Sequence, residues 1–289
     1  MEIRDLTIFA AVARTGSVTK AADELGYVQS NVTARIQQLE SKLGTTLFHR
    51  LPRGMTLTPS GETLLRYAEQ ILHLCAEAQQ AVQDTDTPSG ALRIGAMEST
   101  AATRLPAILA KYHAAYPEVE LSLHTGPTSH LMEAVLNYEL EAAMVAGPVD
   151  HPLLEPLAVI EEELVLISGA NSRHLPPAHG PLTVLAFREG CSYRKRLERY
   201  LDHLGIQSRK VIELGTLDGI LGCVAAGLGV AMVPKTVVEH SRCALRTCEL
   251  PDAFGQAPTL LIRRKDAFQS PALSKFVEVV RQGHETMTR

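Results

Sequence analysis

Residues 21–48 read AADELGYVQSNVTARIQQLESKLGTTLF. A short helical pattern, Ala21, Ala22 and Leu25, stops at Gly26. A second begins at about Gln29 and carries Val32, Ile36, Leu39 and Leu43 at three- and four-residue spacing. Two helices joined by a short glycine-containing turn form a helix-turn-helix skeleton. Apolar stripes of this kind serve any small bundle, so the opposite face is the one that discriminates. Gln29, Ser30, Asn31, Thr33, Arg35 and Gln38 lie there, and no acidic residue intervenes between Glu24 and Glu40. An ordinary solvated face would mix in carboxylates. Amides, hydroxyls and a guanidinium without them suit base edges and phosphates.

Upstream, Leu6, Phe9, Ala10 and Ala13 make the stripe of a first helix, which Arg14-Thr15-Gly16 ends; Ser17 or Thr19 can cap the next. Downstream, His49-Arg50-Leu51-Pro52-Arg53-Gly54 followed by the alternating Met55-Thr56-Leu57-Thr58 reads as a hairpin. Arg50 and Arg53 are expected along the DNA backbone, with Arg53 at the loop tip able to enter the minor groove. Phe48 is expected in the core, and Leu47 and Leu57 lock the hairpin to the helices. Residues 1–58 are thus predicted as an all-α head with a short β wing, a winged helix-turn-helix domain. A long helix follows over 59–87, capped by Thr58 or Ser60. Its stripe of Leu64, Leu65, Ala68, Ile71, Leu72, Cys75, Ala78 and Val82 exceeds what so small a head can bury, which predicts a partner helix. Cys75 reads as a packed small residue of that stripe.

Composition narrows the class. The 289 residues suit two or three domains, and the formal net charge is only -4. Residues 1–66 hold eight Lys or Arg against six Asp or Glu, so a weakly basic head sits on an acidic remainder. No apolar run approaches the ~18 residues of a spanning helix, and the start lacks a signal-peptide layout, so no membrane partner is expected. Five cysteines without a CxxC point to a reducing cytoplasm. Gly227-Leu228-Gly229 is a lone glycine pair, Ser99 lacks a GxSxG turn, and the eleven histidines make no HExxH. Neither an enzyme, a cofactor nor a metal is expected.

Residues 91–289 read as α/β. Strands near 91–96, 119–123 and 142–146 alternate with helices, and the pattern restarts at 165–167, 182–187, 210–214, 230–234 and 260–262. Helices cover 191–204 and 220–226, and a last one starts near Pro271. The pattern fits two lobes around a cleft, and equally a single doubly wound sheet. Ligands in such folds bind at the carboxyl ends of strands, near helix N-termini. That rule selects Glu98, Ser99, Thr100, Thr128, Gly147, Cys191, Ser192 and Thr216, although serine and threonine at such places also serve as ordinary caps. Glu98, Asp150, Glu189 and Asp218 near these boundaries suggest an effector with a positive amine, alone or beside a carboxylate. Cys191 at a helix start is expected to have a lowered pKa. The alternative to a regulator is therefore a small-molecule binding protein, or a redox or electrophile sensor acting through Cys191.

From Phe9 to Arg50, the set Ala21-Ala22, Leu25, Gln29-Ser30, Val32-Thr33, Ile36, Leu39-Glu40, Leu43-Gly44 and Leu47-Phe48-Arg50, followed by Leu57-Thr58-Pro59-Ser60-Gly61, resembles the LysR-type transcriptional regulators. The resemblance implies a transcription regulator with linker helices paired antiparallel. It implies an effector domain built like a periplasmic binding protein, with lobe I at 91–162 and 267–289, lobe II at 163–266, and a hinge near Glu163 and Arg264. It further implies a homotetramer, a dimer of dimers on double-stranded operator DNA. A small-molecule effector between the lobes would alter the DNA bend and the contact with RNA polymerase. Val28 and Asn31 stand where the family usually has a small residue or Ser and an Ala. Asn31 adds an amide and implies a different operator preference.

Overall fold

The computed structural model describes residues 1–51, 54–82, 87–172, 182–207 and 209–287. They divide into two compact units, Met1–Asp84 with Asn137–Glu139, and Thr85–Leu136 with Leu140–Arg289. In the first, α1 (Ile3–Thr15), α2 (Val18–Leu25) and α3 (Gln29–Leu43) precede a hairpin of β1 (Phe48–Leu51) and β2 (Gly54–Leu57), and α4 (Pro59–Val82) follows. The Ser17 hydroxyl accepts from Lys20 N at 3.4 Å and starts α2. Gly26 ends α2 in the left-handed region, φ 68°, where its N–H bonds back to Ala22 O; this is the turn between the two helices.

Phe9, Val12, Ala21, Val32, Ile36, Leu39, Leu47 and Phe48 close one core, and the Phe9 and Phe48 rings lie 5.3 Å apart. Each large side chain so buried contributes about 1.5–3 kcal/mol. Phe48 and Leu47 are core residues, as expected. Polar bonds fix the hairpin to the helices: Leu47 N donates to the Glu40 carboxylate at 2.8 Å, and Thr58 N to Leu47 O at 2.9 Å. The Thr58 hydroxyl donates to Thr46 O and accepts from Gly61 N, so Thr58 is the cap of α4.

The second unit opens with β3 (Gly90–Ala96), α5 (Glu98–Thr103), α6 (Leu105–Ala115), β4 (Val119–Thr125), α7 (Thr128–Leu136), β5 (Ala142–Ala146) and β6 (Leu154–Ile160). Then come β7 (Leu164–Gly169), β8 (Leu182–Ala186), α8 (Ser192–His203), β9 (Arg209–Glu213), α9 (Leu217–Ala225), β10 (Ala231–Pro234), α10 (Lys235–His240) and β11 (Leu245–Glu249). α11 (Asp252–Gly255), β12 (Thr259–Arg264) and α12 (Pro271–Met287) complete it. Among the described residues, lobe I carries a five-stranded sheet in the order β4-β3-β5-β12-β6, parallel around β3 and antiparallel around β12. Lobe II carries β10-β7-β11 and β8-β9, which meet where Leu185 N donates to Val230 O at 2.8 Å.

The sheets are separate, so the single doubly wound sheet is set aside. Two expectations are also revised. β12 pairs with β5 and β6, so it belongs to lobe I, and the chain returns there at residues 256–258 rather than near Arg264. β6 went unread because Pro156 interrupts its pattern, a residue that an edge strand tolerates. No described helix is long and apolar enough to cross a membrane.

Gly61 sits where the first turn of α4 crosses the hairpin base. A Cβ there would lie 2.1 Å from Leu47 O. Gly61→Ala is expected to destabilise the head by about 2 kcal/mol or more. Urea unfolding of variant and parent measures it, and an unchanged midpoint would refute the crossing as described.

Candidate functional site

The amino-terminal unit offers one surface of distinctive chemistry. Gln29, Ser30, Asn31 and Gln38 are exposed on α3, while Thr33 is half-buried and donates its hydroxyl to Gln29 O. Val28, just before the helix, is 68% exposed, so an apolar group stands at the tip of an otherwise polar face. Arg50 is exposed on β1 opposite Met55. Arg53 falls outside the described residues.

Arg35 has a different position from the one its sequence context suggests. Its guanidinium lies 3.1 Å from the buried Asp5 carboxylate and 3.6 Å from Glu2, and Lys42 reaches Asp5 at 3.7 Å. The pair anchors α3 to α1. Burial pushes the Asp5 carboxyl up, but the Glu2 backbone N–H, Lys42 and Arg35 together outweigh it and hold its pKa below the usual value. A carboxyl depressed in the folded state adds stability above its unfolded pKa, about 3.9, and loses it as pH falls through the folded value. Asp5→Asn should therefore destabilise the head at pH 7 by about 1–3 kcal/mol. The gap should narrow on acidification below about pH 4. Urea unfolding of both proteins from pH 7 to acid would show it; a pH-independent gap would refute the ion pair.

In the carboxy-terminal unit the polar groups marked by the sequence are spread over both lobes. Ser99 and Thr100, in the first turn of α5, are buried, and Glu98 is half-buried beside them. Thr128 begins α7, accepts from Ala146 N at 3.3 Å and points its hydroxyl at Met97 Sδ, so it ties β5 to α7. Gly147 is buried at the end of β5; its N–H donates to Pro258 O at 2.7 Å. Ser192 is half-buried in the first turn of α8. Thr216 is exposed and caps α9 by accepting from Gly219 N, a local task that brings it to none of the others. Asp150, Glu189 and Asp218 are exposed.

Several groups escaped the sequence reading. Arg104, between α5 and α6, binds the buried Glu162 carboxylate with Nε at 2.8 Å and Nη2 at 2.5 Å. Burial nevertheless raises the Glu162 pKa, outweighing the attraction of Arg104. Tyr193 in α8 is 4% exposed, and burial together with Glu162 raises its pKa. Arg196 donates to Gln256 O at 2.9 Å and Gly147 O at 3.0 Å, joining α8 to the lobe I side. Tyr193 lies in the 190–194 segment that the strand-end rule marks as a ligand loop, but nothing in the sequence singles out its hydroxyl. On the lobe II side, Cys191 and Tyr193 line an apolar recess with Leu185, Phe187, Ile220 and Met232.

Cys191 corrects an expectation. Its pKa is raised, because burial outweighs the backbone N–H groups of Arg194 and Tyr193 and the Arg194 charge. The helix start does supply favourable N–H groups, but the sulfur is packed inside the core that spans the lobes. A thiol so placed is a poor nucleophile. Under native conditions near neutral pH, Cys191 should react with an aromatic disulfide reagent far more slowly than in urea, as read by peptide mass mapping; fast native labelling would refute this.

Residues 3–62 match the family described as bacterial regulatory helix-turn-helix protein, lysR family, and residues 85–285 match the LysR substrate binding domain. The chain is 48% identical over 282 residues to the uncharacterized HTH-type transcriptional regulator YusT of Bacillus subtilis, covering 96% of this chain and 95% of that protein. It is 45% identical over 285 residues to the HTH-type transcriptional regulator GltR of the same organism, covering 97% and 96%. Its fold is similar to that of full-length CbnR in a crystal structure with its target DNA, with a TM-score of 0.68 at 24% identity over 98% of this chain and all of that one.

Proposed function

We propose a division of labour from one premise: the chain belongs to the LysR family of bacterial helix-turn-helix proteins, DNA-binding transcription regulators with an effector-binding domain. It is a regulator rather than an enzyme, on the strength of those two modules. In our reading α3 enters the major groove. Gln29 and Asn31 pair with base edges; Ser30, Thr33 and Gln38 contact bases or phosphates; Arg50 and Arg53 follow the backbone. The observation that carries this is the exposed, acid-free face of Gln29, Ser30, Asn31 and Gln38 at the start of α3. Arg35 acts from behind, through Asp5, by holding the helix in place.

Self-association follows from α4. Tyr67, Leu74 and Val82 are exposed at 59%, 44% and 83%, and their spacing of seven and eight residues puts them on one stripe. A second copy of the helix is the partner we assign to it. A symmetric dimer presents two recognition helices roughly one DNA turn apart, about 34–36 Å, on a near-palindromic operator. We extend this to a dimer of dimers that spans two sites and bends the duplex. A small-molecule effector between the lobes, contacting Ser99, Thr100 and Ser192 in particular, biases one arrangement over another and so alters the bend and the contact with RNA polymerase. The setting is the cytoplasm.

Base readers and backbone contacts should respond differently to truncation. Gln29→Ala or Asn31→Ala is expected to relax preference at particular base pairs, by about 1–3 kcal/mol each. Arg50→Ala is expected to weaken binding alike on all sequences and to reduce its salt dependence. Binding measured on an operator, its single-base variants and random duplex, at several salt concentrations, separates the two. Affinities identical to the parent for all three variants would overturn the assignments.

A further inference from the structure

Val28 closes the turn between α2 and α3 and stands at the N-cap of α3. Single exposed apolar residues are ordinary on a protein surface, but two features set this one apart. The first is its degree of exposure. At 68%, Val28 is the most exposed of the large apolar side chains described within residues 1–58; Met1, Ile3, Leu51 and Leu43 follow at 58%, 54%, 53% and 42%. Exposed Gln29, Ser30 and Asn31 come directly after it, so a branched apolar group opens a face made largely of amides and hydroxyls.

The second feature is a forgone cap. The other helices of the head begin with a side-chain acceptor. Asp5 receives Glu2 N at 3.0 Å at the start of α1, Ser17 receives Lys20 N in α2, and Thr58 receives Gly61 N at 3.0 Å in α4. No side chain caps α3; its first turn is closed by Val28 O, which accepts from Asn31 N at 3.0 Å and Val32 N at 3.3 Å. Serine, asparagine or aspartate would suit an N-cap far better than valine. The Val28 side chain thus neither fills the core nor serves the start of its own helix, and its surface is free for an outside partner.

The chemistry of the major groove narrows that partner. Base edges there present donors, acceptors and one kind of hydrocarbon, the C5 methyl of thymine. Valine can answer none of the polar groups, but it can cover a methyl and take both surfaces out of water. We propose that Val28 is a specificity-determining residue that reads a thymine methyl group in each half-site of the operator. The proposal rests on the reading of α3 as the helix that enters the groove. It adds a contact that Gln29 and Asn31 do not supply, since their amides suit adenine. Both kinds of contact favour A·T pairs, the amides through hydrogen bonds and Val28 through a group that cytosine and uracil lack.

The test removes the methyl from the DNA and the isopropyl group from the protein, separately and together. The full-length protein selects an operator from a random duplex pool, and each thymine is then replaced in turn by deoxyuridine, which deletes the methyl and keeps the base pair. At one thymine or more in a half-site the parent should lose about fourfold in affinity. Val28→Ala should bind the thymine and deoxyuridine duplexes alike. Val28→Ser should show the same indifference and, because its hydroxyl can cap α3, should melt at or above the parent's temperature. Equal losses in the parent and both variants, or no thymine whose methyl matters to the parent, would overturn the assignment. So would a fall of about 3 °C or more in the melting of Val28→Ser, which would make the side chain part of the head's own structure. Failure to enrich any sequence from the pool would sink the reading of the head as a sequence-specific DNA binder, and this assignment with it. An enriched operator bound without regard to its methyl groups would sink the Val28 assignment alone.

Discussion

The two-lobed domain is organised around a buried ion pair at the place where the chain changes lobes. Glu162 ends the path out of lobe I; its backbone oxygen accepts from Ala257 N, on the segment returning to β12, at 3.0 Å, and its carboxylate takes two bonds from Arg104. The next residue, Glu163, bridges to Gln256, accepts from Lys235 N and pairs with Lys235 Nζ at 3.1 Å. Two crossings, one outgoing and one returning, are thus stitched together by main-chain bonds, and the Glu162 carboxylate ties the outgoing one to Arg104. Removing Arg104 would leave that charge uncompensated, and breaking a buried pair costs about 3–5 kcal/mol. The pair earns little net stability by its own attraction. Its effect is geometric, because it fixes where α5, with Ser99 and Thr100, stands relative to the crossing.

That fixed crossing explains why the lobe interface is packed rather than open. One continuous apolar cluster includes Met97, Leu131, Val145 and Ala146 from lobe I and Leu164, Val184, Leu197 and Met232 from lobe II. Parting the lobes would expose such groups at about 1.5–3 kcal/mol for each large side chain. A ligand therefore has to compensate for any apolar surface it uncovers.

The head was legible almost residue by residue, because its signals are local. Glycine at helix ends, a threonine cap and an apolar stripe act over four residues or fewer, and the helix starts at Gln29 and Pro59 fell where those signals placed them. The edge strands were not legible: β6 is broken by Pro156, and β11, Leu-Arg-Thr-Cys-Glu, is too polar to read as a strand. Their pairing is set by β12 and β7, far away in sequence. The effector region was half legible. Strand ends named Ser99 and Thr100 and took in Tyr193, but Arg196 and Thr259 gain their places only from the antiparallel return of β12, a long-range event that no local pattern records. Cys191 shows the same limit, since its place at a helix start was readable and its burial was not.

The way the head is built also restricts how a ligand can influence DNA reading. α3 is locked from inside by Val32, Ile36 and Leu39, at its middle by the Arg35–Asp5 pair, and in its last turns by Glu40, which receives Leu47 N and Phe48 N. A helix held at so many points has no alternative packing within its own core, so single base contacts cannot be retuned one by one. In the proposed dimer, whatever free energy an effector supplies would act on the spacing or angle between whole heads. Among the described residues, the segment that leaves the head is the long helix α4, which continues from the cap at Thr58 for 24 residues. Reciprocity then follows from linkage: if the effector favours one spacing of heads, an operator of that spacing must tighten effector binding by the same factor. An operator with altered half-site separation would thereby report on the lobes without any change in a base that α3 is proposed to touch.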